Sequence, residues 1–404
     1  MTMTTPFRET VSQLPPPKTE NAWLRDLQQT ATARFHHLGF PTRKHEDWRY
    51  INLSPILEGT FPSTRQPTLT VEHQKTPGLT VMPLSLALKE SPKLVQSALV
   101  ADSEEPNAFA LLNSALFEEG AFIHVAAGTM LPHPIEVTIE TRQAGVTHPR
   151  VIVFIENGAH ADLRITQITS TSERSFNNAV IDVAVGDQAQ FNFILLQRLS
   201  EKAMQFSAVR MRHGADCKTT FTSFTHGGLL TRNDVIATFL GERTECHLKG
   251  LGLLNAESQL HQHVTTHHIA PRCVSRQLYK NILSGEARAE FNSLAYIHRG
   301  AVLSDSGQLS RSMVLSPKAR AITRPQLKVF CDDVKGAHGA TVGQVSPEEL
   351  FYLQSRGISK ADARGLLIYG FAEEIVEGIA HPLLRQHVEK CVKQDLPEVV
   401  RNEA

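Results

Sequence analysis

Three groups of side chains in this 404-residue chain are of the types that do metal or sulfur chemistry. Cys217 and Cys246 stand three and five positions after the glycines of two similar turns, GADCKT and GERTEC. Both offsets are odd, so on strands the two thiols would share a face, either as ligands of a cluster or as small apolar filler inside a fold. Cysteine is among the most buried residue types, so filler is the expected role. The second group is LHQHVTTHHI, which puts His261, His263, His267 and His268 within eight residues, with His261 and His263 on one side of a strand. Such spacing suits a metal. No cysteine or acidic pair beside it completes a shell, and solvated histidines in a surface loop are expected.

The third group is CDDVKGAHGATVGQ, residues 331 to 344. Two glycines beside His338 would let another backbone approach closely. His338, Lys335 and Asp333, with Asp332, read either as a protein interface carrying metal or sulfur chemistry, His338 being the ligand, or as a turn with a solvated imidazole. Nothing else resembles a catalytic constellation. The chain has no GxxxxGK[ST], no GxGxxG after a strand, no GxSxG and no HExxH, so it is not expected to be an enzyme, and another chain would supply any nucleotide hydrolysis.

The elements that must hold these residues show a period. Alternating runs such as IEVTIE, RVIVFIE and QFNFILLQ begin near residue 120, and a turn motif recurs as GAHADL at 158, GDQAQF at 186, GADCKT at 214 and GERTEC at 241, at intervals of 28, 28 and 27 residues. GEARAEF at 285 and SPKARAI at 316 read as fifth and sixth copies, the fifth with a register slip or bulge. Strands too short to bury a face alone, repeating at near-constant spacing, predict a stacked solenoid of about seven coils over residues 121–345, in preference to an antiparallel sandwich.

Flanking segments differ. Residues 1–20 are polar, with three consecutive prolines, and predict a mobile arm. In 21–120, a helical or α/β cap, Asn21 caps a helix whose stripe is Leu24, Leu27, Ala31, Phe35 and Leu38. Residues 346–404 predict a helical domain, with helix starts at Ser346-Pro-Glu-Glu349 and Ser359-Lys-Ala-Asp362 and a stop at Gly357. Lys plus Arg balance Asp plus Glu, 41 against 41, which disfavours a polyanion or acidic membrane as partner. Five cysteines without a CxxC pair, no signal-like N-terminus and no long apolar run fit a reducing cytoplasm, without export or membrane spanning.

PTRKHEDWRY at 41–50, GAFIHV at 120–125 and CVSRQLYK at 273–280 resemble the SufB/SufD family of iron–sulfur cluster assembly proteins. The likeness continues through PQL at 325–327, DDVK at 332–335, HGATVGQ at 338–344 and LFYLQSRGI at 350–358, with DDVK and HGATVGQ looking like the SufD branch. The resemblance implies a right-handed parallel β-helix between an N-terminal helical or α/β region and a C-terminal helical domain. It implies pairing with a SufB-like β-helix subunit and docking of a SufC-like ATPase, with Tyr369, Phe371 and Glu374 as candidate contacts. An iron–sulfur cluster would belong to the complex rather than to the isolated chain, and a reduced flavin is a further candidate. His338 matches the family histidine at the SufB–SufD interface, but the family often reads Lys-Cys-Ser-His where this chain reads Lys335-Gly336-Ala337-His338. Cys331 lies seven residues away, an odd separation that on one strand would face it the other way, so thiolate ligation shifts to the partner. The alternatives from other classes are a homodimeric binding module using the same edge and a β-helix carbohydrate-active enzyme.

Overall fold

The computed structural model describes residues 5–401 apart from 13, 15, 16, 18, 20, 63–67, 100–104 and 118. Ten-residue strands alternate between two parallel sheets and stack into a solenoid of about eight turns. In the first sheet, His160–Thr169, Gln190–Leu199, Lys218–Gly227, Glu245–Leu254, Val274–Leu283, Asp305–Val314 and Lys335–Gly343 follow one another in register. In the second, Ser175–Val185, Ala203–His213, Leu230–Phe239, Gln259–His268, Arg288–Ile297 and Arg320–Val329 do the same.

The turn that makes the repeat visible is built differently from the sequence reading. Residues with positive φ stack in one column, Gly158, Gln188, Asp216, Arg243, Arg272, Leu303 and Asp333. The N–H groups of the first six bond to the next coil, as in Gly158 to the Asp187 carbonyl and Gln188 to that of Ala215, both at 2.8 Å. Among the four copies that lead into the first sheet, only in the first is the motif glycine itself the left-handed residue. Gly186, Gly214 and Gly241 are glycines for another reason: a Cβ on them would lie 2.7, 2.8 and 2.0 Å from the backbone nitrogens of Asn157, Asp187 and Ala215. The true interval from the first copy to the second is therefore 30 residues, since His160 pairs with Gln190. GEARAEF and SPKARAI are not slipped copies. Gly285 has φ +62 above Ala256 at φ +50, and both copies lead into strands of the second sheet, so they belong to the other turn column.

Period-two alternation sends every second residue into the solenoid. One inward column runs Ile135, Leu163, Phe193, Phe221, Leu248, Gln277, Gln308 and His338, apolar through five coils and polar in the last three. All but His338 are buried. Beside it the amide of Gln197 bonds Gln167, Ser207, Asn233 and Thr225, a polar ladder held within the early coils.

The two ends are treated differently. Thr68–Glu72 and Leu79–Pro83 pair antiparallel with Ile135–Thr141 and Gly120–Val125 and cover the N-terminal edge. The helix Ala22–Leu38, capped by Asn21 as expected, packs on Ala108–Leu116, which lies on the second sheet. Phe7, expected in a mobile arm, is instead buried in a helical turn and packs edge-on against Phe61 and Phe176. At the C-terminal end, among the described residues, no strand covers Arg320–Val329 or Lys335–Gly343. Helices Pro347–Ser355, Lys360–Glu377 and Pro382–Arg401 follow, capped at Ser346 and Ser359 as the sequence predicts. They fold back on the first sheet, where Ile368, Ile375, Val376 and Val392 meet Leu251, Leu253 and Ile282.

Gly250 illustrates how tightly the core is set, because a Cβ there would meet the Tyr279 ring at 2.3 Å. Gly250→Val is predicted to destabilise the protein by about 1–3 kcal/mol through overpacking, read as a lower denaturation midpoint, whereas Gly343→Ala, with nothing within 4 Å of its Cβ, leaves the midpoint unchanged.

Candidate functional site

The site is built where the ladder stops. His338 pairs in register with Gln308, whose inward amide nitrogen donates to the Gln326 carbonyl at 3.0 Å, so His338 stands at the top of an interior column. It is exposed because, among the described residues, no coil lies above it. Lys335 pairs with Asp305, an odd step from His338, and points to the outer face. Asp333 sits in the turn at φ +55, where its carbonyl accepts from the Leu303 N–H at 2.8 Å. The three candidates thus share one short segment, but the geometry separates Lys335 and Asp333 from the imidazole. Cys331 lies in the same turn rather than on the strand, so the parity argument about its facing does not apply. Partial burial and the neighbouring Asp332 charge push its thiol up, which favours the protonated form.

Gly336 continues the inward column Cys246, Ser275, Ser306 and shares the face of His338. A Cβ on it would meet only the tip of Leu327, at 3.4 Å, so the position tolerates a side chain. On the outer face, a groove of about 470 Å³ lies between His247, Lys249, Arg276, Gly307 and Glu374 and reaches Ala337 to Gly339, connecting the rim strand to the C-terminal helices.

Cys217 and Cys246 are fully buried core residues. Burial pushes the Cys217 thiol up to about 11 and raises that of Cys246 as well. Protonated thiols sealed in the core are packing residues, not cluster ligands. In the coil register, Cys217 follows Ala159 and Ala189, and Cys246 follows Ala161, Phe191 and Thr219.

The histidine segment overturns the expectation of a solvated loop. It is the strand Gln259–His268, and His261, His263 and His268 are buried. His261 Nδ1 lies 2.6 Å from Glu290 Oε2, with His263 Nε2 3.5 Å from the same oxygen. Burial holds both imidazoles below the usual histidine range, while their hydrogen bonds hold the Glu290 carboxyl well below the usual carboxylate range. Sequence reasoning missed Glu290, yet a signal was there: it stands 29 residues after His261, one coil on. Over this cluster lies the PTRKHEDWRY motif. Arg232 stacks on Trp48 at 3.8 Å, Asp47 accepts from Asn292 at 3.0 Å, and Glu46 pairs with Arg324 of the second rim strand. The motif clasps the late coils from outside. Among the described residues, no three His, Cys, Asp or Glu side chains converge as a metal shell.

Of the ATPase-contact candidates, Glu374 pairs with Lys280 and lies 3.6 Å from Arg311, and the Phe371 carbonyl accepts from Lys280 at 2.9 Å, under a cation–π contact of 4.4 Å. Tyr369 is half-buried with its hydroxyl 3.4 Å from Glu389. Phe371 and Glu374 hold the helices to the solenoid. The outward apolar side chains are others: Phe351 (72% exposed), Tyr352 (57%), Leu383 (55%) and Leu366 (53%).

Fold and site together define a parallel β-solenoid protein closed at its N-terminal end and open at its C-terminal rim, with one imidazole at the opening. Residues 137–371 match the family described as SUF system FeS cluster assembly, SufBD core domain. The chain belongs to this iron–sulfur cluster assembly family, on its SufD branch. It is 28% identical to the SufBD family protein slr0076 of Synechocystis, over 93% of this chain and 91% of that one. It is also 28% identical to the iron–sulfur cluster assembly protein SufD of Escherichia coli, over 89% and 90%. Protein ABCI7, chloroplastic, of Arabidopsis thaliana is 30% identical over 67% of this chain and 59% of its own length. No described helix is long and apolar enough to cross a membrane.

Buried neutral histidines make stability depend on pH. Burial lowers His148, His213 and His268 from 6.5 to about 4, so between those values the unfolded chain binds protons that the folded chain does not. Their contribution is complete above pH 6.5 and is lost as pH falls toward 4. Denaturation midpoints are predicted to drop across that window, and His213→Phe, which keeps the edge contact with Phe239, to flatten the drop.

Proposed function

We propose that this chain is a non-catalytic scaffold of a SufBCD-type cluster assembly complex, that its rim strands pair with a SufB-like β-solenoid, and that its C-terminal helices dock a SufC-like ATPase. The unpaired pair of rim strands is the observation that carries the reading. Arg320–Val329 and Lys335–Gly343 offer rows of free backbone groups on sheets otherwise complete, and a second parallel solenoid is the shape that satisfies both rows at once. His338 would then face the seam as a ligand to iron or cluster, with Gly336 on its face, Lys335 on the outer face of the same strand, Asp333 at the turn and thiolates supplied by the partner. The cluster is the cargo of this reading, and a reduced flavin would be held by the assembly rather than by this chain.

The helix Pro347–Ser355 supports the docking proposal. None of its residues is buried, and Phe351 and Tyr352 face outward. Such an apolar face needs a partner. Phe371 and Glu374 would transmit ATPase movement to Lys280 and so to the strand Val274–Leu283 that carries Gln277, with Tyr369 coupling the last helix through Glu389. A cytoplasmic location agrees with cysteines that are free.

The test is to express the chain with SufB-like and SufC-like subunits and measure iron and sulfide in the purified assembly. His338→Ala is expected to leave assembly intact and lower both severalfold, and Gly336→Cys to fold normally and raise them. Unchanged iron and sulfide in intact His338→Ala assemblies would remove the imidazole from the mechanism, and a chain that never co-purifies would remove the scaffold.

A further inference from the structure

One histidine of the segment LHQHVTTHHI takes no part in the buried cluster. His267 shares the outer face of the strand Gln259–His268 with His261 and His263, yet it is only half-buried. Its neighbour is a second imidazole, half-buried as well: His267 Nδ1 lies 3.3 Å from His298 Nε2. The two stand 31 residues apart in sequence, so only the stacking of one coil on the next brings them together.

Backbone and rings hold the pair in place. Tyr296 lies opposite His267 in the ladder. The His298 N–H donates to the His268 carbonyl at 2.9 Å, so this residue extends the ladder one step past the strand, and its own carbonyl accepts from the Ala301 N–H at 3.0 Å. The Tyr296 ring braces both imidazoles, with its centroid 5.8 Å from that of His267 and 4.3 Å from that of His298. Phe330 stacks on Tyr296 at 4.9 Å. Side chains braced on paired backbone keep their spacing without a partner chain.

We infer that His267 and His298 chelate a divalent transition-metal ion through His267 Nδ1 and His298 Nε2, with water completing the shell. Metal–nitrogen bonds of about 2.0–2.1 Å at a tetrahedral angle set two ligand nitrogens about 3.3–3.4 Å apart, which is the spacing found here. In the hydrogen-bonded pair one ring nitrogen donates and the other accepts. A small turn of each ring, with the donating ring in its other tautomer, brings both lone pairs onto one ion. The charged residues next to the pair or to Tyr296 in sequence or register are Arg299 and Lys328, both exposed cations. Imidazoles without a carboxylate do not suit calcium or magnesium, which need oxygen ligands, but do suit divalent zinc, copper, nickel or iron. With two protein ligands and water for the rest, the ion exchanges readily, as befits a metal in transit more than a structural one.

The test is zinc titrated by calorimetry into the full chain carrying His338→Ala, which takes the rim imidazole out of the count. One saturable equivalent is expected, and His267→Phe and His298→Phe, which keep a ring against Tyr296, are each expected to lose it. Magnesium is expected not to bind. Divalent copper added at one equivalent is expected to show hyperfine coupling to two nitrogens by electron paramagnetic resonance, and to lose that signature in either variant. Should a variant fail to fold, anomalous density for zinc between the two rings in soaked wild-type crystals decides the matter. No saturable zinc, an equivalent that survives either substitution, copper coupled to fewer than two nitrogens, or no anomalous peak between the rings would each overturn the site. None of these outcomes bears on the rim, whose imidazole is absent from the titrated chain.

Discussion

A parallel sheet satisfies its backbone only by adding neighbours, and a solenoid turns that requirement into a stack with two ends. Each unpaired N–H or C=O that becomes buried costs roughly 1–3 kcal/mol, so a strand at an open end must stay wet or find another strand. Here the two ends are resolved in opposite ways. Antiparallel strands from the N-terminal region cap one, and the other is left with two ten- and nine-residue strands facing outward. Everything distinctive about the chain follows from that asymmetry.

The interior follows it. Apolar columns through the early coils give way to Gln277, Gln308, Ser275, Ser306 and Ser310 as the rim approaches. A greasy last coil would expose apolar surface in the isolated chain and invite unselective aggregation, whereas a polar one tolerates water until a partner arrives. The outer clasp serves the same end. Glu46, Asp47 and Trp48 reach across to Arg232, Asn292 and Arg324, so the free edge of the second sheet is held in shape by a segment from the other end of the chain. The C-terminal helices grip the first sheet below its rim, three coils down through Lys249, whose ammonium donates to the Gly378 carbonyl at 3.1 Å, and two coils down through Lys280.

The solenoid was legible because its turns repeat, and the helix caps at Asn21, Ser346 and Ser359 because capping is local chemistry. What stayed hidden depends on which coil lies above which. Gly158 and Gly186 look equivalent in sequence but differ by two in register, because one glycine serves a left-handed φ and the other a close approach. The histidine segment looks like a loop when read alone, for it is polar and dense in imidazole. Only Glu290 one coil on, with the motif at 41–50 folded over both, makes it a buried strand. His338 was found through its glycine neighbours and through family resemblance. Its place atop an interior column could not be read without the pairing of Lys335–Gly343 with Asp305–Val314.

The most direct test of the open rim is amide hydrogen exchange on the chain alone and with a SufB-like subunit. Amides of 320–329 and 335–343 that point away from the solenoid should exchange freely in the isolated chain and become protected in the pair, while those of 288–297 and 305–314, already inside the ladder, stay slow throughout. Rim amides that remain fast when the partner is demonstrably bound would mean that the subunits meet elsewhere, and the account of an edge completed by another chain would be wrong.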